Sequence, residues 1–162
     1  MRVLGVDPGL ADTGWGVVDF DGGHYRPVSF GTISTSPKER IQDRIYTIAT
    51  DLGTLLGKYE CSVVAMEDIF FTKNITSAIP VAKVIGAVIF RFSELGVPVY
   101  LYSPLEVKMA VTGMGRADKN QVQEMVKVIL KLKSIPRPDH AADALADCIC
   151  HCTHQGLKGR EL

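Results

Sequence analysis

The sequence has no apolar run of the length of a membrane span that is free of charged residues. The longest apolar segment, residues 77–92, is interrupted by Lys83 and carries Arg91 near its end, and charges within such a segment argue against a span. The N-terminus also lacks the small-residue cleavage site of a secretory signal. We therefore expect a cytoplasmic protein with no membrane partner.

The sequence contains no CxxC pair, although three of its four cysteines are clustered at Cys148, Cys150 and Cys152. On a helix only Cys148, His151 and Cys152 share a face, so four ligands for a zinc ion are not assembled there. Packing of small side chains within a helix is the favoured interpretation, and zinc is the alternative. In the cytoplasm we expect the thiols to be reduced.

The chain carries no net charge, with 18 basic and 18 acidic side chains, but the two signs are unevenly distributed. Residues 1–72 contain 6 basic and 10 acidic side chains, residues 73–137 contain 10 and 4, and residues 138–162 contain 2 and 4. A basic segment attracts a polyanion while acidic groups elsewhere bind cations. Nucleic acid is therefore not excluded as a partner, and a solvated basic surface is the alternative.

The sequence also lacks internal repeats, low-complexity tracts and long linkers. Its 162 residues suffice for one core, so we expect a single domain over residues 1–157 and a short tail over 158–162. Alternating patterns and turn signals predict strands over residues 2–6, 14–20, 26–34, 62–66 and 98–102. Helical spacing predicts helices over residues 37–58, 77–95, 104–112, 118–130 and 139–155. This order predicts an α/β fold with a five-stranded mixed sheet and helices on both faces.

Three acidic residues stand where folding can bring them together. Asp7 follows the first predicted strand, Glu67 follows the fourth, and Asp143 lies near the start of the last predicted helix. Carboxylates delivered by separate elements to one place are typical of a divalent-cation site. Taken alone, Asp7 before Pro8 and Gly9 is better explained as a turn former. Glu67 is different, because a charge at the end of a buried strand needs a partner.

Five motifs carry a resemblance to a known family. They are Asp7-Pro8-Gly9-x4-Gly14-x-Gly16; Ala65-Met66-Glu67 followed by Phe70, Lys73, Asn74, Ser77 and Ala78; Val107-Lys108; Gly113-x-Gly115-x-Ala117-x-Lys119-x-Gln121-Val122; and His140-Ala141-Ala142-Asp143-Ala144-Leu145-Ala146. In this order, over nearly the whole chain, they resemble the bacterial RuvC Holliday-junction endonucleases. The resemblance implies an RNase H-like fold, a homodimer and paired, symmetric nicks across a four-way DNA junction in recombination and repair. It also implies the branch-migration proteins RuvA and RuvB as partners.

The resemblance extends to the metal ligands. Two Mg²⁺ ions about 3.5–4 Å apart stabilise the attacking and leaving oxygens of a phosphodiester, and Asp7, Glu67 and Asp143 offer the oxygen ligands that Mg²⁺ prefers. The family's fourth ligand position falls on His140, three residues before Asp143 and on the same helical face. Because an imidazole ligand shifts the preference toward Mn²⁺, we expect Mn²⁺ to substitute. The expected products carry 5′-phosphate and 3′-hydroxyl ends.

Two further acids of the last predicted helix receive other interpretations. Asp139 follows Pro138 and is better explained as a helix cap than as the fourth ligand. Asp147 lies one turn beyond Asp143 on the same face, and we expect it to be solvated or paired rather than bound to a metal.

Contacts with phosphate are expected from two lysines. Asp118 and Gln121 have the spacing of a capping box, so a helix begins there and presents N–H groups beside Lys119. By the resemblance, Lys108 and Lys119 steady the scissile phosphate. A solvated surface charge is the alternative for either lysine.

The segment after Glu67 is expected to contact the junction itself. By the resemblance, Phe70 stacks on bases at the branch point, and Lys73 and Asn74 hold adjacent phosphates. Without the resemblance, Phe70 is better explained as a core residue.

The predicted helix over residues 77–95 is apolar on more than one face, which requires burial on two sides. A second copy of the chain would cover the outer side, and a two-fold dimer suits a substrate whose strands are related by two-fold symmetry. Burial beneath the C-terminal helices is the alternative.

Two other classes of protein share part of this pattern. ATP-binding proteins of the actin, sugar-kinase and chaperone class also open with a strand, an acid and glycines, but they need a second lobe that 162 residues do not supply. A non-catalytic junction-binding module would use the acids structurally. Metal-dependent nicking separates that module from a nuclease, and affinity for ATP identifies the first class.

Overall fold

A computed structural model describes residues 1–69 and 74–158, with side chains up to residue 156. The strands within these ranges are β1 (Arg2–Asp7), β2 (Asp12–Asp21), β3 (His24–Ser34), β4 (Val63–Glu67) and β5 (Val99–Tyr102). The helices are α1 (Ile41–Tyr59), α2 (Ile75–Glu94), α3 (Pro104–Thr112), α4 (Lys119–Ile129) and α5 (Asp139–Lys158). The predicted boundary between domain and tail, at 157/158, falls in the last turn of α5.

The strands form one mixed sheet in the order β3-β2-β1-β4-β5. β1, β2 and β3 pair antiparallel, and β4 and β5 extend the sheet parallel to β1. β2 and β3 are joined through Gly22 and Gly23, which both have positive φ, a conformation that glycine adopts without strain. The predicted meander and the predicted mixed sheet are confirmed.

The first turns of the helices differ most from prediction. α1 begins at Ile41 rather than at residue 37, because Arg40 is extended, with φ −67° and ψ 145°. α2 begins two residues earlier than predicted, because Asn74 caps it by accepting a hydrogen bond from the backbone N–H of Ser77. Both differences arise from the conformation of a single residue before the helix, which the apolar pattern does not report.

Alternate side chains of the central strands face opposite sides of the sheet. Val3 of β1 and Ala65 of β4 pack with α3, α4 and α5 in one core. Leu4 and Val6 of β1, with Met66 of β4, pack with α1 and α2 in a second core. The molecule therefore has three layers, with the sheet in the middle and helices on both faces as predicted.

The clustered cysteines of α5 belong to the first core. Burial raises the pKa of Cys150 and of Cys152 to about 12 and that of Cys148 well above its ordinary value, so the thiols stay protonated. Among the described residues, the one group of three or more potential metal ligands lies elsewhere. The burial of these thiols therefore favours helix packing over zinc as the explanation of the cluster.

α5 lies directly against the backbone of β1 and β2. A Cβ atom at Gly5 would come within 1.9 Å of the carbonyl oxygen of Ala144, and a Cβ atom at Gly14 would come within 1.9 Å of the carbonyl oxygen of His140. Only glycine permits such an approach between backbones. Gly14, part of the first sequence motif, therefore allows the start of α5 to contact the backbone of the sheet directly.

α2 packs on the face opposite α5, and only one side of it is covered. Val84, Val88 and Phe92 are buried, whereas the outer side is an exposed apolar stripe of Ile75, Ile79, Ala82, Gly86 and Phe90. The alternative of burial beneath the C-terminal helices is wrong, because those helices lie across the sheet. α2 is long and apolar enough to cross a membrane by length and composition alone, with 22% of the apolar window buried, but this is weak evidence of a span.

Candidate active site

Two neighbouring parallel strands deliver the first two acids to the same edge of the sheet. Val6 of β1 pairs with Met66 of β4, so Asp7 and Glu67, the next residues of each strand, lie side by side. Asp7 is the last residue of β1 and pairs with Gly14 of β2. It is therefore part of the sheet, and the interpretation of Asp7 as a turn former is wrong.

The first turn of α5 brings His140 and Asp143 to this edge. Potential ligand atoms of Asp7, His140 and Asp143 all lie within 4.8 Å of one another. The Nδ1 atom of His140 lies 2.8 Å from Oδ2 of Asp7. Because an ionised carboxylate only accepts hydrogen bonds, Nδ1 is the donor of this contact, and in the neutral form of the ring Nε2 then keeps its lone pair. Two oxygen ligands and one nitrogen ligand thus converge from residues far apart in sequence.

Glu67 stands beside this group of three rather than within it. Burial, together with the charges of Asp7 and Asp143, raises its pKa to about 7, while Lys108 and Lys119 oppose the shift. Burial likewise raises the pKa of Asp7, and Asp143 adds to the effect, while the hydrogen bond from His140 lowers it. The acids therefore repel one another, and a positive charge among them would relieve that repulsion.

Lys119 is the first residue of α4, whose start is capped as the sequence predicts. The Asp118 side chain accepts from the backbone N–H of Gln121 at 2.8 Å, and the Gln121 side chain accepts from the backbone N–H of Asp118 at 2.8 Å. The ammonium of Lys119 lies 3.2 Å from Oδ2 of Asp143. Burial lowers the pKa of Lys119, but Asp143 and other acids outweigh it and raise the pKa. Lys119 is therefore paired with an acid of the candidate site rather than surrounded by solvent alone.

Two adjoining clefts open over these residues. One of about 300 Å³ is lined by Glu67, Lys108, Lys119 and Asp143, together with apolar residues of α3 to α5. The other, of about 340 Å³, is lined by Asp7, Glu67, Asp68, Asn74 and Ser77 among others. Both predicted phosphate-binding lysines and three of the four predicted metal ligands, all but His140, thus line two clefts that share Glu67 and Pro104. Phe70 and Lys73 lie outside the described residues.

Asp139, the competing fourth ligand, is engaged elsewhere. Its Oδ1 atom accepts from Arg137 at 2.6 Å, and its Oδ2 atom lies 3.9 Å from the ammonium of Lys119. It is not in the group formed by Asp7, His140 and Asp143. The geometry therefore favours His140 over Asp139 as a ligand.

Asp147, expected to be solvated or paired, is neither. Its side chain is fully excluded from solvent, and neither carboxylate oxygen makes a hydrogen bond of good geometry in the part of the chain that the structure describes. Burial raises its pKa well above the ordinary value and the charges of Glu67, Asp7 and Asp143 add to this, while a looser polar contact with the Glu67 backbone opposes the shift. The prediction is wrong because α5 presses this face onto the sheet. The available signal was an acid one turn from Asp143 in a run of otherwise small and apolar residues.

Comparison with known sequences agrees with this arrangement. A family model described as crossover junction endodeoxyribonuclease RuvC matches residues 3–151. The crossover junction endodeoxyribonuclease RuvC of Caldanaerobacter subterraneus subsp. tengcongensis is 46% identical over 160 residues, covering 99% of this chain and 97% of that protein. The RuvC of Pseudothermotoga lettingae is 41% identical over 160 residues, covering 99% of each.

Solved structures give the same result. Thermus thermophilus RuvC, solved in complex with a Holliday junction substrate, matches with a TM-score of 0.92 and 38% identity, covering 98% of this chain and 96% of that chain. The yeast mitochondrial Holliday junction resolvase Ydc2 matches with a TM-score of 0.70 at 14% identity, which shows a shared fold. These matches confirm the RNase H-like fold.

The matched region includes both strand-end acids, the first turn of α5 and both lysines of the cleft. A match over nearly the whole length of chain and relatives also excludes the ATP-binding class, which needs a second lobe. The chain belongs to the family of the crossover junction endodeoxyribonuclease RuvC.

Proposed function

We propose that this protein resolves four-way DNA junctions as a divalent-metal-dependent endonuclease. It makes paired, symmetric nicks that leave 5′-phosphate and 3′-hydroxyl ends, in recombination and repair. One observation carries the proposal: acids from two strand ends and a helix meet beside a lysine, in a chain of the RuvC family. The Thermus thermophilus relative in complex with a Holliday junction supports this substrate.

The residues present fit a divalent cation. Asp7, His140 and Asp143 offer two oxygens and a nitrogen within 4.8 Å, and the neighbouring Glu67 is destabilised by the same negative charges that a cation would neutralise. We propose that these four residues hold two Mg²⁺ ions. Mn²⁺ substitutes, because imidazole is a better ligand for Mn²⁺ than for Mg²⁺.

When bound, the cations polarise the scissile phosphate and lower the pKa of the attacking water. Asp7 accepts a hydrogen bond from Nδ1 of His140, so Nε2 is the ring nitrogen that would bind a cation. Lys119 forms an ion pair with Asp143. If a cation were bound at Asp143, the ammonium of Lys119 would be available to the phosphate and, together with Lys108, would stabilise the negative charge of the transition state.

The segment that follows Glu67 contacts the DNA. Phe70 stacks on an unpaired base at the branch point, and Lys73 and Asn74 contact flanking phosphates. Asn74 supports this role because it lines the cleft beside Asp7 and begins α2, whose N-terminal N–H groups favour an anion.

We further propose a homodimer formed through the exposed apolar stripe of α2. Ile75 is 72% exposed and Phe90 is 66% exposed in the single chain, an unfavourable state for side chains of this size. A two-fold axis through this face would present two identical sites to opposing strands. Because the substrate is chromosomal DNA, we also propose a cytoplasmic location. We propose a single domain over residues 1–157. By analogy with the family, the protein works with RuvA and RuvB.

The test is cleavage of a labelled synthetic four-way junction against a linear duplex of the same sequence, with Mg²⁺, Mn²⁺ or a chelator. We expect symmetric nicks in the junction only, with either metal, and ligation of the products without end repair. Junction binding without nicking under every metal condition would identify a non-catalytic binding module. Equal cutting of the duplex would contradict selectivity for the junction.

A further inference from the structure

The surface of α3 carries exposed apolar side chains next to the cleft. Leu105 and Met109 stand four residues apart, so they lie on one face of the helix, and both are exposed. Met114, in the loop that follows α3, is exposed as well. We call these three residues the α3 ridge. Large apolar side chains that are exposed as a group indicate a binding surface.

The loop after α3 is packed against the ridge. A Cβ atom at Gly115 would lie 2.5 Å from Cδ1 of Leu105 and 3.5 Å from Sδ of Met109, so the Gly115 backbone lies against these side chains. The hydroxyl of Thr112, the last residue of α3, accepts a hydrogen bond from the backbone N–H of Met114 at 3.0 Å. The loop is thereby tied to the end of the helix, and the ridge is a preformed surface.

Positive charge borders the ridge. Lys108, on the same stretch of helix, lines the cleft with Lys119, and Arg116 follows the loop glycine. The acids of this segment, Glu106 and Asp118, each accept a hydrogen bond from a backbone N–H within a capping box. An apolar surface that is bordered by cations and continuous with the cleft fits a polyanion with an apolar edge.

DNA offers such an edge in its minor groove, where the C–H groups of the deoxyriboses lie between the phosphates. We propose that the α3 ridge packs on the sugars of the duplex arm beside the scissile phosphate. In RNA the same groove displays 2′-hydroxyl groups, and burying a hydroxyl against apolar side chains without a hydrogen bond is unfavourable. The ridge therefore favours deoxyribose over ribose at this position. The inference rests on the proposed function.

Binding of a synthetic junction in the presence of a chelator tests the contact. The variant is Leu105→Gln/Met109→Gln, which keeps side-chain length and charge, and the matched control is Val128→Gln, since Val128 is an exposed apolar residue of α4 that does not line the cleft. We expect the double variant to bind about tenfold more weakly, because apolar contact area is lost. The slope of affinity against salt should be unchanged, because no charge is removed. The control should bind as wild type does.

Sugar chemistry gives a second readout that a purely structural role would not change. Junctions whose arm beside the cleavage point carries 2′-hydroxyl groups are compared with junctions that carry 2′-fluoro groups, which give a similar sugar pucker without a hydroxyl donor. We expect wild type to bind the hydroxyl arm about fivefold more weakly than the fluoro arm. The double variant should bind the two arms alike.

Two results would overturn the inference: an affinity of the double variant within about twofold of wild type, or equal affinity of wild type for the two arms. Weaker self-association of the double variant in analytical ultracentrifugation, with unchanged junction binding, would also overturn it and assign the ridge to a second copy of the chain. The single variants Leu105→Gln and Met109→Gln repeat the test if the double variant does not fold. A wild type that neither binds nor cuts junctions would instead contradict the proposed function.

Discussion

The two faces of the sheet are completed differently. On the α5 face, backbone meets backbone at Gly5 and Gly14, and α5 is buried along most of its length, with its first turn and its last turns reaching solvent. On the α2 face, a row of apolar side chains remains uncovered. One face is closed within the chain and fixes the position of His140, whereas the other is left open and would be completed by the proposed dimer. The helix that carries His140 and Asp143 and the helix that carries the apolar stripe therefore lie on opposite faces of one sheet.

Removing one carboxylate should have the largest effect on the α5 face. We expect Asp7→Asn to lower the cleavage rate by about a thousandfold or more, because a cation ligand is lost. Affinity for the junction should be unchanged or higher, because a negative charge facing a polyanion is removed. Single-turnover cleavage and gel-shift assays measure the two quantities, with the exposed surface variant Asp51→Asn as the control. Joint loss of binding and cutting would show that the two functions are not separate.

Adding one methyl group at Gly14 should displace α5. The new Cβ atom would overlap the carbonyl oxygen of His140, so we expect Gly14→Ala to lower the free energy of unfolding by about 3 kcal/mol or more and to weaken Mn²⁺ binding. Gly57→Ala in α1 is the matched control, because its Cβ atom would meet nothing within 4 Å. The control should be stabilised by up to about 1 kcal/mol. Equal stabilities in denaturant melts would refute close packing as the reason for Gly14.

Placing a charge on the α2 stripe should break assembly and leave the fold intact. We expect Phe90→Glu to weaken dimerisation at least about a hundredfold, because a carboxylate would be buried in an apolar interface. The matched control is Val128→Glu in α4, where the valine is 63% exposed on the opposite face. Analytical ultracentrifugation measures the dimer, and the ratio of paired to single nicks on a cruciform plasmid measures coupling. A dimeric Phe90→Glu variant would place the interface elsewhere.

Neutralising Lys119 should reduce the rate without removing it. Loss of one cation beside the scissile phosphate is expected to cost about 10- to 100-fold in the cleavage rate. Lys119→Met keeps much of the aliphatic chain, and Lys127→Met, in the last turn of α4, controls for a general loss of positive charge. A salt series on both variants distinguishes a local effect on the transition state from weaker DNA binding.

The smallest expected effect concerns pH. Because the pKa of Glu67 is raised from 4.5 to about 7 in the folded protein, the folded state holds a proton that the unfolded state has released over this range. Stability of the metal-free protein should therefore fall as pH rises from about 5 to 8, by about 2 kcal/mol for this group after allowing for partial exposure. Glu67→Gln should flatten this slope, and saturating Mg²⁺ should reverse it, since the cation favours ionised ligands. Chemical denaturation at each pH, with chelator or Mg²⁺, gives the comparison; an unchanged slope in Glu67→Gln would assign the effect to another group.

Much of the fold and the core of the site follow from local patterns. Strand alternation and turn residues predict all five described strands, and because Asp7 and Glu67 close two of them, their convergence at one sheet edge follows as well. The capping box at Asp118 is equally local. The start of α1 was not predictable in this way, because it depends on the backbone of Arg40 and not on the apolar repeat.

Two features of the site depend on contacts between distant segments. The role of Gly14 is visible only once α5 is placed against β2, because the glycine itself gives no indication of what approaches it. Asp147 has the spacing of a solvent-facing acid, and its burial depends on how deeply α5 sits in the sheet. A sequence pattern describes only the neighbours of Gly14 and Asp147 along the chain, whereas the groups that surround them in space are determined by tertiary packing.

The contact between main chains at Gly5 and Gly14 has a further consequence. Where helix and sheet touch through side chains, a change of one methyl group elsewhere in the interior alters their separation by a fraction of an ångström. Here the separation is set by atoms that every amino acid shares, so substitutions within either core can accumulate without moving His140 and Asp143 relative to Asp7. The distances between Asp7 and the two residues of α5 are thereby preserved when the surrounding sequence changes.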